Sequence, residues 1–212
     1  MNIGIIANGP RDAIPSLSRF GFIDVWIGVD RGTLILLENK IKVDIAIGDF
    51  DSVAKKEMDF IKDNTNQFEL FPVEKDETDL ELAVAKAMTF RPNALYIFGA
   101  TGGRFDHTLV NMQLLLPIAK EHIKAVIVDT HNYIEMTLPG TYTIEEDMNY
   151  ENISFIPISK HVLGLTLTGF YYPLIDKKIE MGTTLTISNK LIRKYGTFSY
   201  TEGILLLVKS CD

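Results

Sequence analysis

The sequence is poor in the residues that build disulfide scaffolds, membrane spans and nucleic-acid surfaces. Its one cysteine, Cys211, can form no internal disulfide, which suits a reducing compartment and says little about catalysis. No apolar run reaches the ~20 residues that cross a bilayer. The opening "MNIGIIANG" has no basic region before its apolar run, and that run is too short for a signal core. Positive charge is in deficit: 21 Lys and Arg against 28 Asp and Glu leave a formal charge of −7. Without a local basic patch, that balance argues against nucleic acid as a partner. The expectation is a soluble cytoplasmic protein that binds neither membrane nor nucleic acid. At 212 residues the chain can bury a substantial core, as one large domain or two small ones.

Two textures follow one another. Up to about residue 130, short apolar runs ("IGIIA", "VWIGVD", "DIAIGD", "FELFPV", "ALYIFGA", "AVIVD") alternate with helix-like segments ("RGTLILLENK", "SVAKKEMDFIKD", "TDLELAVAKAM", "FDHTLVNMQLLLPIAKE"). Strands that are apolar throughout and separated by helices predict an α/β domain, residues 1–130, with a doubly wound, largely parallel sheet covered on both faces. Residues 131–212 are rich in Thr, Ile, Tyr and Phe with Gly or Pro between short runs. They predict a smaller, all-β antiparallel domain, a sandwich or flattened barrel.

Ligands of parallel sheets bind beyond the carboxyl ends of the strands. Asp30 ends "VWIGVD", Asp49 ends "DIAIGD", and Gly99 to Arg104 follow "ALYIFGA", so these features share one predicted edge. In "GDFDS", Asp49 and Asp51 could point to one side of a turn and hold Mg²⁺, which takes one or two carboxylates plus phosphate oxygens. The plainer alternative is a polar strand end with Asp51 or Ser52 capping the next helix. In "EKDETDLELAVAKAM", Thr78 and Glu81 fit a capping box at the start of a helix whose apolar face is Leu80, Ala83, Val84, Ala87 and Met88. Asp76 and Asp79 there either complement the helix N-terminus or, beside Lys75, form part of a metal or phosphate shell.

The most specific segment is "GATGGRFDHTLVN". Gly99, Gly102 and Gly103 allow close backbone approach to an anion at a helix start. Arg104 offers a fork-shaped donor set for phosphate, and Asp106 and His107 add an acceptor and a titratable ring. The segment is neither a Walker loop nor a dinucleotide fingerprint. His122, His131 and His161 lack metal-ligand spacing, Trp26 reads as core, and Ser188-Asn189 reads as a turn.

Taken in order, "GDFDS", "KDETD", "GGRFDHTLVN" and "TISN" closely resemble the thiamine pyrophosphokinase family, and the resemblance covers nearly the whole chain. It implies an enzyme that transfers pyrophosphate from ATP to the hydroxyethyl group of thiamine, giving thiamine diphosphate and AMP. It further implies Mg²⁺ dependence and a homodimer with thiamine held between the α/β domain of one subunit and the β domain of the other. Carried over by motif, Asp49, Asp51, Asp76 and Asp79 would line the metal and phosphate site. Arg104, Asp106 and His107 would serve the nucleotide and the reaction centre, with Gly102, Gly103 and Asp30 also holding ATP. Ser188 and Asn189 would contact thiamine, and either Asp79 or Asp106 could take the hydroxyl proton. One region departs from the pattern: where the family has "A-D-G-G-A-N" this chain reads "VDRGTL", with Arg31 for a glycine and Leu34 where Asn is common. The C-terminal tryptophan of some members is also missing, leaving Tyr195 or Phe198 as a possible aromatic face.

Two other functions fit parts of the sequence. "DFDSV" also satisfies D-x-D-x-[TV], which would make Asp49 the nucleophile and Asp51 the acid/base of a haloacid-dehalogenase-type phosphatase. A non-catalytic nucleotide- or thiamine-sensing module is the second alternative.

Overall fold

The computed structural model describes residues 1–212, which divide into two compact units, Met1–Thr130 and His131–Asp212. In the first unit six strands, β1 (Asn2–Ile6), β2 (Val25–Val29), β3 (Val43–Gly48), β4 (Thr65–Leu70), β5 (Ala94–Phe98) and β6 (Lys124–Val128), lie in the order β4-β3-β2-β1-β5-β6. Every adjacent pair is parallel. The helices are α1 (Gly32–Glu38), α2 (Lys55–Asp63), α3 (Asp79–Thr89), α4 (Phe105–Gln113) and α5 (Leu115–Lys120). All strands but β4 are buried along nearly their whole length, which requires cover on both faces and explains their unbroken apolar composition. The chain winds outward from β1 through β2, β3 and β4, and the remaining strands lie on β1's other side. That reversal opens a crevice at the carboxyl ends of β1, β2 and β5.

Thr78 caps α3 as its sequence predicts: its hydroxyl accepts a hydrogen bond from the Glu81 amide at 3.2 Å. The single helix expected over "FDHTLVNMQLLLPIAKE" is instead two, α4 and α5, separated at Leu114. Pro117 has no N–H to offer the carbonyl of Gln113 four residues earlier, so the helical ladder cannot run through unbroken.

The second unit is antiparallel. Strands β7 (Asn132–Thr137), β9 (Asn152–Pro157) and β13 (Leu205–Ser210) pair in the order β7-β13-β9. Strands β8 (Gly140–Glu145), β10 (His161–Thr168), β11 (Leu174–Glu180) and β12 (Tyr195–Tyr200) form a sheet in the order β11-β10-β12-β8. Ile153, Phe155, Leu205 and Leu207 from the first set pack with Ile144, Val162, Leu165 and Phe198 from the second, the alternating inward residues of a sandwich.

The strand expected over "KKIEMGTTLTISN" ends at Glu180, and residues 181–194 are not a strand. Here isolated backbone bonds to β9, from the Phe155 amide to the Thr186 carbonyl and in both directions between Ile153 and Asn189, are interspersed with side-chain bonds. The Thr186 hydroxyl donates to the Phe155 carbonyl at 2.5 Å, and the Leu185 amide donates to the Thr183 hydroxyl at 3.3 Å.

Candidate active site

At the carboxyl edge of the parallel sheet lies a cleft of about 540 Å³. Its walls come from the segments that leave β1, β2, β3 and β5 and from the starts of α3 and α4, so residues distant in sequence meet there because their strands run the same way. Asp30, Asp49, Lys75 and Asp79 line one side, and Gly99, Ala100, Thr101, Gly103 and Arg104, with His107, line the other; Gly102 is not among the lining residues.

The acidic side is built around Phe50. This residue takes a left-handed conformation, φ 54°, and buries its ring against Phe68 with centroids 4.7 Å apart, over Leu34, Val53 and Ile61. Turning the phenylalanine inward leaves the two flanking aspartates on the outer side of the turn. The Asp51 amide donates to Asp49 Oδ1 at 3.2 Å, and the Phe50 amide donates to Asp30 Oδ1 at 3.0 Å, tying the ends of β2 and β3 together. Both residues of the unusual "VDRGTL" stretch serve this turn. Leu34 lies under Phe50, and the Arg31 guanidinium donates to the Ser52 carbonyl at 3.1 Å while pairing with both oxygens of Glu57 at 3.0 and 3.1 Å.

Asp30, Asp49 and Asp79 each present a carboxylate oxygen to a common point, all within 4.8 Å of one another. Lys75 sits among them. Its Nζ donates to Asp49 Oδ2 at 2.9 Å and to the Pro72 carbonyl at 3.0 Å, and lies 3.0 Å from Asp79 Oδ1. That last oxygen is buried and has no hydrogen-bond partner, so the lysine neutralises its charge without satisfying it. An all-oxygen donor set with one orphaned buried oxygen fits a hard divalent cation. Burial opposes the charge on Lys75, but its two carboxylate neighbours outweigh that and hold its pKa above the ordinary value. For Asp49, burial works the other way, and the Lys75 hydrogen bond with the Asp51 amide keeps it below the ordinary value.

Asp30 is shifted in the opposite direction. Burial pushes it up to about 7; the Phe50 amide opposes this, and the charges of Asp79, Asp49 and Asp51 reinforce it. A carboxyl whose pKa is higher folded than unfolded costs no stability below its unfolded value and an increasing amount as pH rises to the folded value. In chelator, wild-type protein is therefore expected to lose about 2 kcal/mol relative to Asp30→Asn between pH 5 and pH 8. Paired urea titrations at the two pH values measure this. A stability difference independent of pH would show that Asp30 is ionised throughout.

On the opposite wall the glycine segment is fixed from beneath. The Asn111 amide group donates to the Ala100 carbonyl at 2.8 Å, and the Thr101 hydroxyl donates to Asp129 Oδ2 at 2.7 Å, both in buried positions. Gly102 has φ +82°, a conformation that favours glycine. Arg104 precedes α4 with its side chain largely in solvent, paired with both oxygens of Asp106 at 3.1 and 2.6 Å. The Arg104 guanidinium holds Asp106 down at about 2, assisted by the His107 amide.

Not every acid named from the sequence enters the cleft. Asp51 and Asp76 are exposed and Asp106 points to solvent, and none of the three is among the cleft-lining residues. Asp51 is still near enough for its charge to act on Asp30.

Family models match both units. The catalytic domain of thiamin pyrophosphokinase matches residues 21–127, and the vitamin B1 binding domain of thiamin pyrophosphokinase matches residues 141–205. The chain belongs to the thiamine pyrophosphokinase family. A thiamine pyrophosphokinase of Bacillus subtilis (strain 168) is 46% identical over 99% of each chain. The crystal structure of the Bacillus subtilis thiamine pyrophosphokinase superposes with a TM-score of 0.94 at 46% identity, covering 100% of both chains. That of the Geobacillus thermodenitrificans thiamin pyrophosphokinase gives a TM-score of 0.91 at 42% identity, over 100% of this chain and 98% of that one.

In this thiamine pyrophosphokinase family member the "TISN" pair divides its roles. Asn189 is 2% exposed and makes three side-chain hydrogen bonds: Oδ1 accepts from the Tyr172 and Lys190 amides at 3.0 and 2.9 Å, and Nδ2 donates to the Tyr172 carbonyl at 2.9 Å. It is the strut that shapes this corner of the β unit. Ser188 is exposed, at φ 53°, with its amide donating to Ser154 Oγ at 3.0 Å. Phe198 is core, and Tyr195 is half exposed.

Several cleft residues escaped the sequence reading: Asn8, Glu77, Thr108 and Asn111. For the last two a signal existed. Arg104, Thr108 and Asn111 are spaced i, i+4 and i+7, a polar line along one face of α4.

Proposed function

We propose that the chain transfers a pyrophosphoryl group from ATP to the hydroxyl of thiamine, giving thiamine diphosphate and AMP, in the cleft of its first unit. The observation that carries the site assignment is the trio Asp30, Asp49 and Asp79 facing the glycine segment across one crevice. Asp49 and Asp79 with Asp30 would hold Mg²⁺, which supplies neutralisation of phosphate charge when bound. Asp51 adjoins the trio from the exposed rim, and Asp76 lies outside it.

Attack falls on the β-phosphorus, so the protein's task is chiefly to align the alcohol and hold the phosphates. The backbone of Gly102 and Gly103 and the Arg104 guanidinium favour phosphate oxygens, with His107 beside them at the start of α4. Between the two carboxylates considered for the hydroxyl proton, Asp79 is the better placed. It lines the cleft, whereas Asp106 is turned to solvent and held near 2 by Arg104, too acidic to be an effective base. In the β unit Ser188 is the accessible member of the thiamine pair, and Asn189 supports it. Homodimeric assembly and a cytoplasmic location accompany this reading as family properties.

A phosphatase with Asp49 as nucleophile is less well supported, because that reading leaves the glycine segment of the cleft and the β unit without a role. Release of AMP that requires thiamine and MgATP together supports the transferase. Inorganic phosphate release without thiamine would support the phosphatase, and binding of both ligands without AMP a sensing module.

A further inference from the structure

Lys75 is the one basic group inside the acidic trio, and its side chain is only 10% exposed. It reaches the trio from the residues preceding α3, four positions before Asp79. Its contacts are unequal. Asp49 Oδ2 receives a hydrogen bond at 2.9 Å, but Asp79 Oδ1, at 3.0 Å, is buried without one. Three carboxylates within 4.8 Å of one another repel strongly unless a cation lies between them. A single ammonium supplies one charge to that set, and a divalent cation supplies two with more coordination positions.

We propose that Lys75 is a resident counter-ion occupying the cation position of the nucleotide-free enzyme, and that entry of a divalent cation with a triphosphate displaces its ammonium from Asp49 and Asp79 to a phosphate oxygen. The inference rests on the metal-nucleotide reading of the cleft. Lys75 lines the same cleft as Gly103 and Arg104, on the opposite wall, so an ammonium released from the carboxylates remains beside the bound phosphates. The lysine then serves two states: it steadies the empty acidic pocket, and it adds positive charge to the filled one. Such an exchange makes cation and lysine competitors when the metal is alone and allies when phosphate accompanies it.

The two roles give opposite signs in one variant. In Lys75→Met the affinity for Mn²⁺ without nucleotide, measured by titration calorimetry, is expected to rise about tenfold or more, because no ammonium has to leave. The affinity for Mn²⁺ with α,β-methylene-ATP, which cannot be cleaved at the reacting bond, is expected to fall about tenfold or more. Lys75→Gln keeps a donor for Asp49 without the charge, and it is expected to show the same two shifts if Lys75→Met folds poorly. Metal affinity that is unchanged or weaker in both variants, while wild type binds Mn²⁺ and Asp49→Asn does not, would overturn the proposal and leave the cleft assignment standing. Wild type that binds no Mn²⁺ at this site would overturn both.

Discussion

Asp49→Asn is expected to reduce turnover of thiamine and MgATP by on the order of 10³-fold while leaving a cooperatively folded protein. The substitution is nearly isosteric, and its effect divides between the two oxygens. Oδ1 accepts the Asp51 amide at 3.2 Å, and an asparagine carbonyl can continue to do so, preserving the turn around Phe50. Oδ2 is the atom that meets Lys75 at 2.9 Å, and the carboxylate as a whole belongs to the trio with Asp30 and Asp79. Replacing Oδ2 by an NH₂ group removes a charge and a ligand oxygen and sets a donor against an ammonium. Lys75 retains Asp79 and the Pro72 carbonyl as neighbours, so the stability cost should be modest, about 1–2 kcal/mol. Steady-state rates together with a denaturant titration separate the two effects. Turnover within a few-fold of wild type would remove Asp49 from the reacting site.

Gly48→Ala is expected to cost about 3 kcal/mol of stability and on the order of 10²-fold in turnover, although residue 48 has no side chain to contribute. Gly48 closes β3 at φ +149°, which L side chains rarely adopt. A Cβ placed there would lie 2.0 Å from Asp30 Oδ1 and 2.8 Å from its Cγ. Asp30 would have to swing out, breaking the hydrogen bond from the Phe50 amide at 3.0 Å that joins the β2 and β3 ends. The glycine is thus what lets one carboxylate pass behind the turn that bears another. Unfolding free energies and kcat for the variant test this, and near-native values for both would mean that the β3 end has more room than its geometry indicates.

What could be read before the structure follows from periodicity and strand direction. Apolar runs separated by helices gave a parallel sheet, and parallel strands put Asp30, Asp49 and Gly99 on one edge with no knowledge of distances. The departures arise where direction depends on a single torsion or on a remote partner. Two aspartates separated by one residue look equivalent in "GDFDS", yet the left-handed Phe50 and the bond to Lys75 draw Asp49 into the cleft and leave Asp51 on the rim. Asp76 and Asp79 look equally paired in "KDETD", but only Asp79, the first residue of α3, turns inward. Lys75, read as a neighbour of those acids, stands at the centre of the cluster because β3 and the head of α3 meet, a long-range fact that local spacing does not contain. Asn189 illustrates the converse. Its three side-chain hydrogen bonds belong to the fold of the β unit, so the turn reading and the motif reading describe different neighbours, Asn189 and Ser188.

Phosphorus NMR of wild type and Asp49→Asn, each incubated with thiamine and MgATP, bears most directly on a pyrophosphoryl transfer carried out in the acidic cleft. Wild type is expected to form AMP and thiamine diphosphate in equal amounts and Asp49→Asn neither, with both proteins melting cooperatively. Formation of ADP and thiamine monophosphate by wild type, or near-normal AMP from Asp49→Asn, would contradict it.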